Sequence, residues 1–261
     1  MFTKLGVQLF TVRGVMKDVR QIGETLCRLR EIGYEEVQTA GCPLPLPEFA
    51  ALVRDAGLSV VGTHEGFEGM CADPETAMAN HRVLGTTNIG IGGMPAAGYE
   101  SREELDRFIR EANRLADAIY PHGFKFTFHN HHMEFRRMGD KTIMEILADG
   151  LDPQKTSFVL DTYWVQCGGG DVRHWMEKLA GRIDILHLKD MKFTDGPQIA
   201  EIGQGNLYWD GIMEIAEAIG VKHYVVEQDK NFVGGTPENK LSGDVFESLR
   251  LSAEFLRQYM K

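Results

Sequence analysis

The sequence predicts a single-domain (β/α)8 TIM barrel spanning residues 1–261. Three observations carry that expectation. Eight short apolar or β-branched runs alternate with amphipathic stretches along the whole chain, one pair per roughly 33 residues. No linker rich in Pro, Gly or Ser divides the chain, and α/β barrels of about 250 residues form one domain. No glycine-rich phosphate loop follows the first run, which disfavours the rival doubly wound sheet. Gly90-Ile91-Gly92-Gly93 follows a run but lacks the last spaced glycine of a dinucleotide fingerprint.

The elements follow in order. Leu5–Val12 is the first strand, and Asp18–Gly33 the first helix, with Ile22, Leu26 and Leu29 on one face and a glycine stop. Glu35–Thr39 precedes a helix over Leu46–Gly57, which closes on Asp55-Ala56-Gly57. Ser59–Thr63 is strand three, Glu75–Leu84 a helix, and Asn88–Ile91 strand four. Ser101-Arg102-Glu103-Glu104 opens a long helix as a capping box. Phe-rich Lys125–His129 is strand five, followed by a helix over Thr142–Leu151. Ser157–Leu160, Ile183–Leu188 and His223–Glu227 complete the strands. Helices over Asp171–Gly181, Tyr208–Gly220 and Asp244–Met260 fill the remainder. Runs this short, bounded by Gly, Pro or Asp, are typical of parallel strands buried on both faces.

Composition narrows the function classes. With 43% hydrophobic and 25% charged residues the chain is an ordinary globular protein. Its net charge of −10 repels phosphate backbones and anionic head groups, so neither nucleic acid nor membrane is an expected partner. Cys27, Cys42, Cys71 and Cys167 are scattered and form no CxxC, which suits small buried or half-buried residues in a reducing compartment. The first residues lack a signal-peptide apolar region, and no apolar run reaches about 18 residues, so a cytoplasmic location is expected.

Active sites of such barrels sit at the C-terminal ends of the strands, and there the polar residues gather. Strand one brings Gln8 and Thr11; strand three ends in Thr63-His64-Glu65. Strand five ends in His129-Asn130-His131-His132-Met133-Glu134-Phe135, and strand six in Asp161-Thr162-Tyr163-Trp164. Strand seven ends in His187-Leu188-Lys189-Asp190, and strand eight in Glu227-Gln228-Asp229. Five of the nine histidines lie at these ends, whereas His81, His122 and His174 fall on or beside helices, where surface positions are expected. Strands five to eight are neighbours around a barrel. An acid or imidazole from strand five, with Asp161, His187 and Glu227, would suit one divalent ion: Mn²⁺, Mg²⁺ or Co²⁺, with Zn²⁺ also fitting.

These motifs resemble the xylose-isomerase-like barrel superfamily, in particular its sugar phosphate isomerase/epimerase proteins. The matching stretches are residues 5–13, 128–135, 160–164, 186–191, 202–205 and 226–229, which together span nearly the whole chain. The resemblance implies a single divalent ion held by Glu, Asp, His and Glu from strands five to eight. Asp161, His187 and Glu227 carry over onto three of these. The fourth departs from the pattern: His129 stands at the aligned position, and Glu134 follows five residues later in an HNHxxEF variant. Glu134 is the expected ligand because it restores the anionic count, with a strand-five histidine as the alternative.

The resemblance further implies a small-molecule sugar substrate and proton transfer through a metal-stabilised enediolate. Glu227 would serve one face, and His129, His131 or Glu134 the other. Gln8, His64, Trp164, Lys189 and Asp190 are the expected substrate-side residues, with Phe10 and Trp209 as candidate apolar walls. Isomerisation or epimerisation is the first expectation. Dehydration or elimination on a keto-polyol or keto-glycoside is the alternative that the histidine-rich strand-five end leaves open, and a non-catalytic sugar-binding or regulatory barrel is a third. Abasic-site endonucleases of the superfamily carry a histidine three residues after the strand-six Asp, where this chain has Trp164. Many such barrels pair, so a homo-oligomer is compatible with the resemblance.

Overall fold

Eight parallel strands pair in a single sheet curled into a barrel. They are β1 (Leu5–Gln8), β2 (Glu36–Ala40), β3 (Ser59–His64), β4 (Asn88–Ile91), β5 (Lys125–His129), β6 (Thr156–Asp161), β7 (Ile183–Leu188) and β8 (His223–Val226). The order β3-β2-β1-β8-β7-β6-β5-β4 returns β3 beside β4. That seam is held by Glu65 N–H to Gly90 O at 2.8 Å, by Asn88 Nδ2 to Val61 O at 2.9 Å and by Gly90 N–H to Thr63 Oγ1 at 3.3 Å. Gly90 is required there, since a Cβ would come within 2.4 Å of both Thr63 O and Thr127 Oγ1. The computed structural model describes residues 2–41, 44–229 and 244–261; Cys42 lies outside them.

The helices surround the barrel: α1 (Val19–Ile32), α2 (Leu46–Asp55), α3 (Phe67–Ala72), α4 (Pro74–Leu84), α5 (Arg102–Ile119), α6 (Ile143–Gly150), α7 (Thr162–Cys167), α8 (Val172–Lys178), α9 (Trp209–Ala218) and α10 (Val245–Leu256). Local chemistry sets their ends. Asp18 caps α1 by accepting from Gln21 N–H at 2.8 Å, and Gly33 stops it at φ 117°. Thr142 and Glu145 form a reciprocal box on α6. The box expected at Ser101 is half made: Ser101 caps Glu104 N–H, but the Glu104 carboxylate pairs with Arg107.

The main core lies between strands and helices, from Phe2 to Leu256. A smaller cluster of Val61, Val159, Ile185 and Val225 forms a buried group of its own from β3, β6, β7 and β8. Three expectations change. The first strand stops at Gln8, whose side chain accepts from Phe10 N–H and starts a 3-10 helix over Leu9–Val15. His81 is buried rather than on the surface, bonded to Thr63 Oγ1 and Ala77 O at 2.7 Å each. Cys27 is exposed, while Cys71 and Cys167 are half-buried and free. Among the described residues no helix is long and apolar enough to cross a membrane.

Candidate metal centre

β5 to β8 end side by side, and each delivers one ligand-type side chain to a common point. His129 closes β5, Asp161 closes β6, His187 lies one residue before the end of β7 and Glu227 follows β8. Register aligns them: Asp161 pairs with His187, and His187 with Val225. His129 Nε2 lies 3.5 Å from Asp161 Oδ2 and 4.0 Å from Glu227 Oε2. His187 Nδ1 lies 3.7 Å from Asp161 Oδ2 and 3.2 Å from Glu227 Oε2. One atom from each of the four residues falls within 4.8 Å of all the others, and all four residues are buried. Donors bound about 2.0–2.2 Å from a shared ion stand roughly 3.0–4.4 Å apart; the four histidine–carboxylate distances fall in that range, and the widest spacing in the group reaches it with a shift of a few tenths of an ångström.

The outer partners support the same reading. His129 Nδ1 donates to Gly92 O at 3.0 Å, and His187 Nε2 donates to Gln38 Oε1. Each bond commits one ring nitrogen and turns the other towards the cluster, the arrangement that orients histidine ligands. Asp161 uses Oδ1 to cap α7 at Trp164 N–H, 2.9 Å away, and Asn130 Oδ1 accepts the Asp161 N–H at 2.9 Å. Fully buried Lys189 reaches the same oxygens, with Nζ 3.3 Å from Glu227 Oε2, 3.6 Å from Asp161 Oδ2 and 2.8 Å from Asp229 Oδ1. Burial would push Asp161 and Glu227 up. Lys189 and the neighbouring imidazoles outweigh it and hold both well below the usual carboxylate range.

Glu134 is not part of this cluster. It sits in a 3-10 turn over His132–Phe135, where Oε2 accepts His131 N–H at 2.8 Å and Oε1 accepts the Tyr99 hydroxyl. The place expected for it is taken by His129. The physical reason is local: the turn folds the carboxylate back onto its own backbone, and Tyr99 holds it there.

Around the tetrad stands a rim of imidazole and indole. The ring centroid of His64 is 4.9 Å from that of His129 and 5.7 Å from that of His187. His131 is 4.8 Å from His129 and 5.3 Å from Trp164, and His132 is 5.1 Å from Trp164. His64 Nε2, His131 Nδ1, His132 Nδ1 and Trp164 Nε1 are buried without a hydrogen-bond partner. Burial, reinforced by His129 and His187, holds His64 well below its ordinary value. Burial, with His129 and Lys189, takes His131 down to about 3. Both rings are therefore neutral near pH 7.

Other expected substrate-side residues are placed differently. Gln8 is fully buried, its amide spent on Phe10 N–H and His64. Asp190 spends its carboxylate on the scaffold: it accepts from Gly203 N–H, Gly205 N–H, Leu207 N–H and Trp209 Nε1 and so folds the loop before α9. Trp209 is accordingly a scaffold residue rather than an apolar wall. Phe10 is half-buried beneath the Arg13 guanidinium, 3.6 Å from the ring centroid. Sequence reasoning missed Gln38, Gly92 and Tyr99. A polar Gln in a buried strand and a glycine just after β4 were the available signals.

The barrel and its buried oxygen–nitrogen tetrad define a family, and the comparisons agree. Residues 27–257 match the model of the xylose isomerase-like TIM barrel, and the chain belongs to that family. Among curated relatives, a protein named inosose dehydratase from Geobacillus thermodenitrificans is 34% identical over 103 residues, covering 39% of this chain and 33% of that protein. An inosose dehydratase from Salmonella typhimurium is 26% identical over 167 residues, covering 60% and 53%. The matches thus span about a third to a half of these relatives' length. A solved sugar phosphate isomerase/epimerase from Parabacteroides distasonis superposes with a TM-score of 0.82 at 24% identity, over 100% of this chain and 96% of that one. At that identity the likeness is one of fold.

Proposed function

We propose that this protein is a divalent-metal-dependent lyase that removes water from a keto-polyol or keto-sugar such as an inosose. The observation that carries the reading is the inequality of the two sides of the tetrad. Epimerisation needs two comparable groups that exchange protons across the plane of the substrate. Here the strand-five position holds His129, whose Nδ1–H is bonded to Gly92 O. Asp161 has one oxygen committed to the Trp164 N–H and the other to the tetrad. Glu227 is then the carboxylate left to act as base. The names of the curated relatives point the same way.

His129, Asp161, His187 and Glu227 would hold the ion, and two imidazoles in the set favour Mn²⁺, Co²⁺ or Zn²⁺ over Mg²⁺. When bound, the ion polarises the substrate carbonyl and acidifies the neighbouring C–H. Glu227 takes the proton from the α-carbon, and the electron pair moves towards the carbonyl oxygen. As that charge returns, the C–O bond at the β-carbon breaks, and Glu227 gives its proton to the departing hydroxyl as water. One carboxylate thus serves as base and then acid on a single face. Lys189 and Trp164 would position hydroxyls, and the half-buried imidazoles of the rim, with buried Trp164, would limit water.

The isomerase or epimerase reading is supported by one feature, the neutral, unpartnered His131 Nδ1, which could carry a proton on a second face. Incubating metal-reconstituted protein with 2-keto-myo-inositol, an inosose, in D₂O separates the two. Loss of water measured by mass spectrometry supports the lyase. Deuterium at the α-carbon with the substrate mass otherwise retained supports isomerisation and overturns the lyase.

A further inference from the structure

A chain of hydrogen bonds dictates where His64 carries its proton. The Phe10 backbone N–H can only donate, and it donates to Gln8 Oε1 across 3.2 Å. That fixes the orientation of the Gln8 amide, so its Nε2 end faces His64 Nδ1, 3.4 Å away. An amide NH₂ also only donates, so His64 Nδ1 accepts, and a neutral ring with its lone pair on Nδ1 carries hydrogen on Nε2. Gln8 is fully buried, which leaves the amide no competing solvent. Gly92 makes room for the ring: a Cβ there would lie 3.1 Å from His64 Nδ1. The resulting Nε2–H is buried, has no protein partner and belongs to a ring that borders His129 and His187.

We propose that His64 is a catalytic hydrogen-bond donor to the substrate's carbonyl oxygen, and that Gln8 is the positioning residue that sets its tautomer. The proposal rests on the keto-polyol reading above. As Glu227 takes the α-proton, negative charge gathers on that oxygen, and a preformed N–H stabilises it without giving its own hydrogen away. A neutral imidazole suits this role because, unlike imidazolium, it does not protonate the oxygen and trap the intermediate. No bond at His64 is made or broken beyond the hydrogen bond.

The test has two arms on the 261-residue chain. In ¹⁵N-histidine-labelled protein, long-range ¹H–¹⁵N spectra, with His64 assigned by loss of its signals in His64→Gln, are expected to show protonated Nε2 and unprotonated Nδ1. Gln8→Glu is expected to move the proton to Nδ1. In metal-reconstituted enzyme acting on 2-keto-myo-inositol, His64→Met is expected to lower kcat about 100-fold or more, with metal content and KM nearly unchanged. His64→Gln, which keeps an N–H near the same place, is expected to stay within about tenfold of wild type, and Gln8→Glu to fall with His64→Met. A wild-type ring protonated on Nδ1, or a His64→Met enzyme as fast as wild type at full metal content, overturns the proposal. Gln8→Glu decides it if His64→Met does not fold. A wild-type enzyme that leaves the keto-polyol untouched instead overturns the functional reading, and the tautomer then decides the Gln8–His64 wiring alone.

Discussion

The Nδ1–H of His129 donates to the carbonyl oxygen of Gly92 across 3.0 Å, joining the end of β5 to the residue after β4. This one bond decides that Nε2 is the nitrogen facing Asp161 and Glu227. The strand-five member of the tetrad is therefore an imidazole nitrogen with its tautomer fixed.

Loss of that member should weaken the ion's hold. His129→Ala is expected to lower divalent-metal affinity by more than the roughly 10–100-fold typical of losing an outer partner, as measured by titration with Mn²⁺ or Co²⁺. Asp161→Asn should lower metal content and turnover together; full activity in a metal-stripped Asp161→Asn protein would rule the centre out. In the wild type, ion at about 100 times its dissociation constant adds about 2.7 kcal/mol. Chelation should therefore lower Tm by roughly 5–10 °C for a chain of this size.

Glu134 behaves differently from the tetrad under substitution. Burial pushes its carboxyl up, against the pull of the Tyr99 and His131 donors. Glu134→Gln keeps one acceptor for His131 N–H, and the Tyr99 hydroxyl can turn to accept from the amide. Metal affinity in Glu134→Gln is expected to match wild type, whereas Glu134→Ala should cost about 1–3 kcal/mol by stranding a buried donor. A large loss of metal affinity in Glu134→Gln would return Glu134 to the ligand set.

Asp190→Ala should act on stability rather than on the metal. Its carboxylate satisfies the N–H groups of Gly203, Gly205 and Leu207 and the Trp209 indole. Several donors left without a partner are expected to cost about 3–5 kcal/mol together, read from urea unfolding, with metal stoichiometry kept near one in the folded protein. Gly205→Ala should be destabilising as well, because a Cβ would fall within 2.2 Å of Asp190 Oδ1.

Asp184, at the start of β7, gives a pH-dependent contribution. Burial opposes its charge, but Lys222 at 2.8 Å and Lys125 at 3.3 Å outweigh it and hold the carboxyl below its ordinary value. A depressed folded pKa means stability that is present above the unfolded value, about 3.9, and lost as pH falls through the folded one. Asp184→Asn is therefore expected to cost about 1–2 kcal/mol at pH 7 and progressively less below pH 4. An equal cost at pH 7 and pH 3 would argue against the ion pairs.

Strands were readable in the sequence because each is a short apolar run between turn residues, and Asn88–Ile91, Lys125–His129 and Ile183–Leu188 coincide with their expected bounds. The positions of Asp161, His187 and Glu227 were readable for a related reason: in a barrel, the end of a strand is an address. Glu134 was not readable, because spacing alone does not distinguish a carboxylate that reaches an ion from one that turns back to cap its own turn. Gln38 and Gly92 act across 149 and 37 residues of sequence. Partnerships of that range leave no local signature.

Lys189 has a consequence for how the protein is assembled. A pocket of buried carboxylates is ordinarily self-repelling until its ion arrives, which makes folding wait on supply. Here an ammonium from the chain itself reaches Asp161, Glu227 and Asp229 at 3.6, 3.3 and 2.8 Å. The barrel brings its own counter-charge to these carboxylates. If the tetrad takes an ion, folding need not wait for it, and the metal-free chain is expected to unfold as cooperatively as the loaded one.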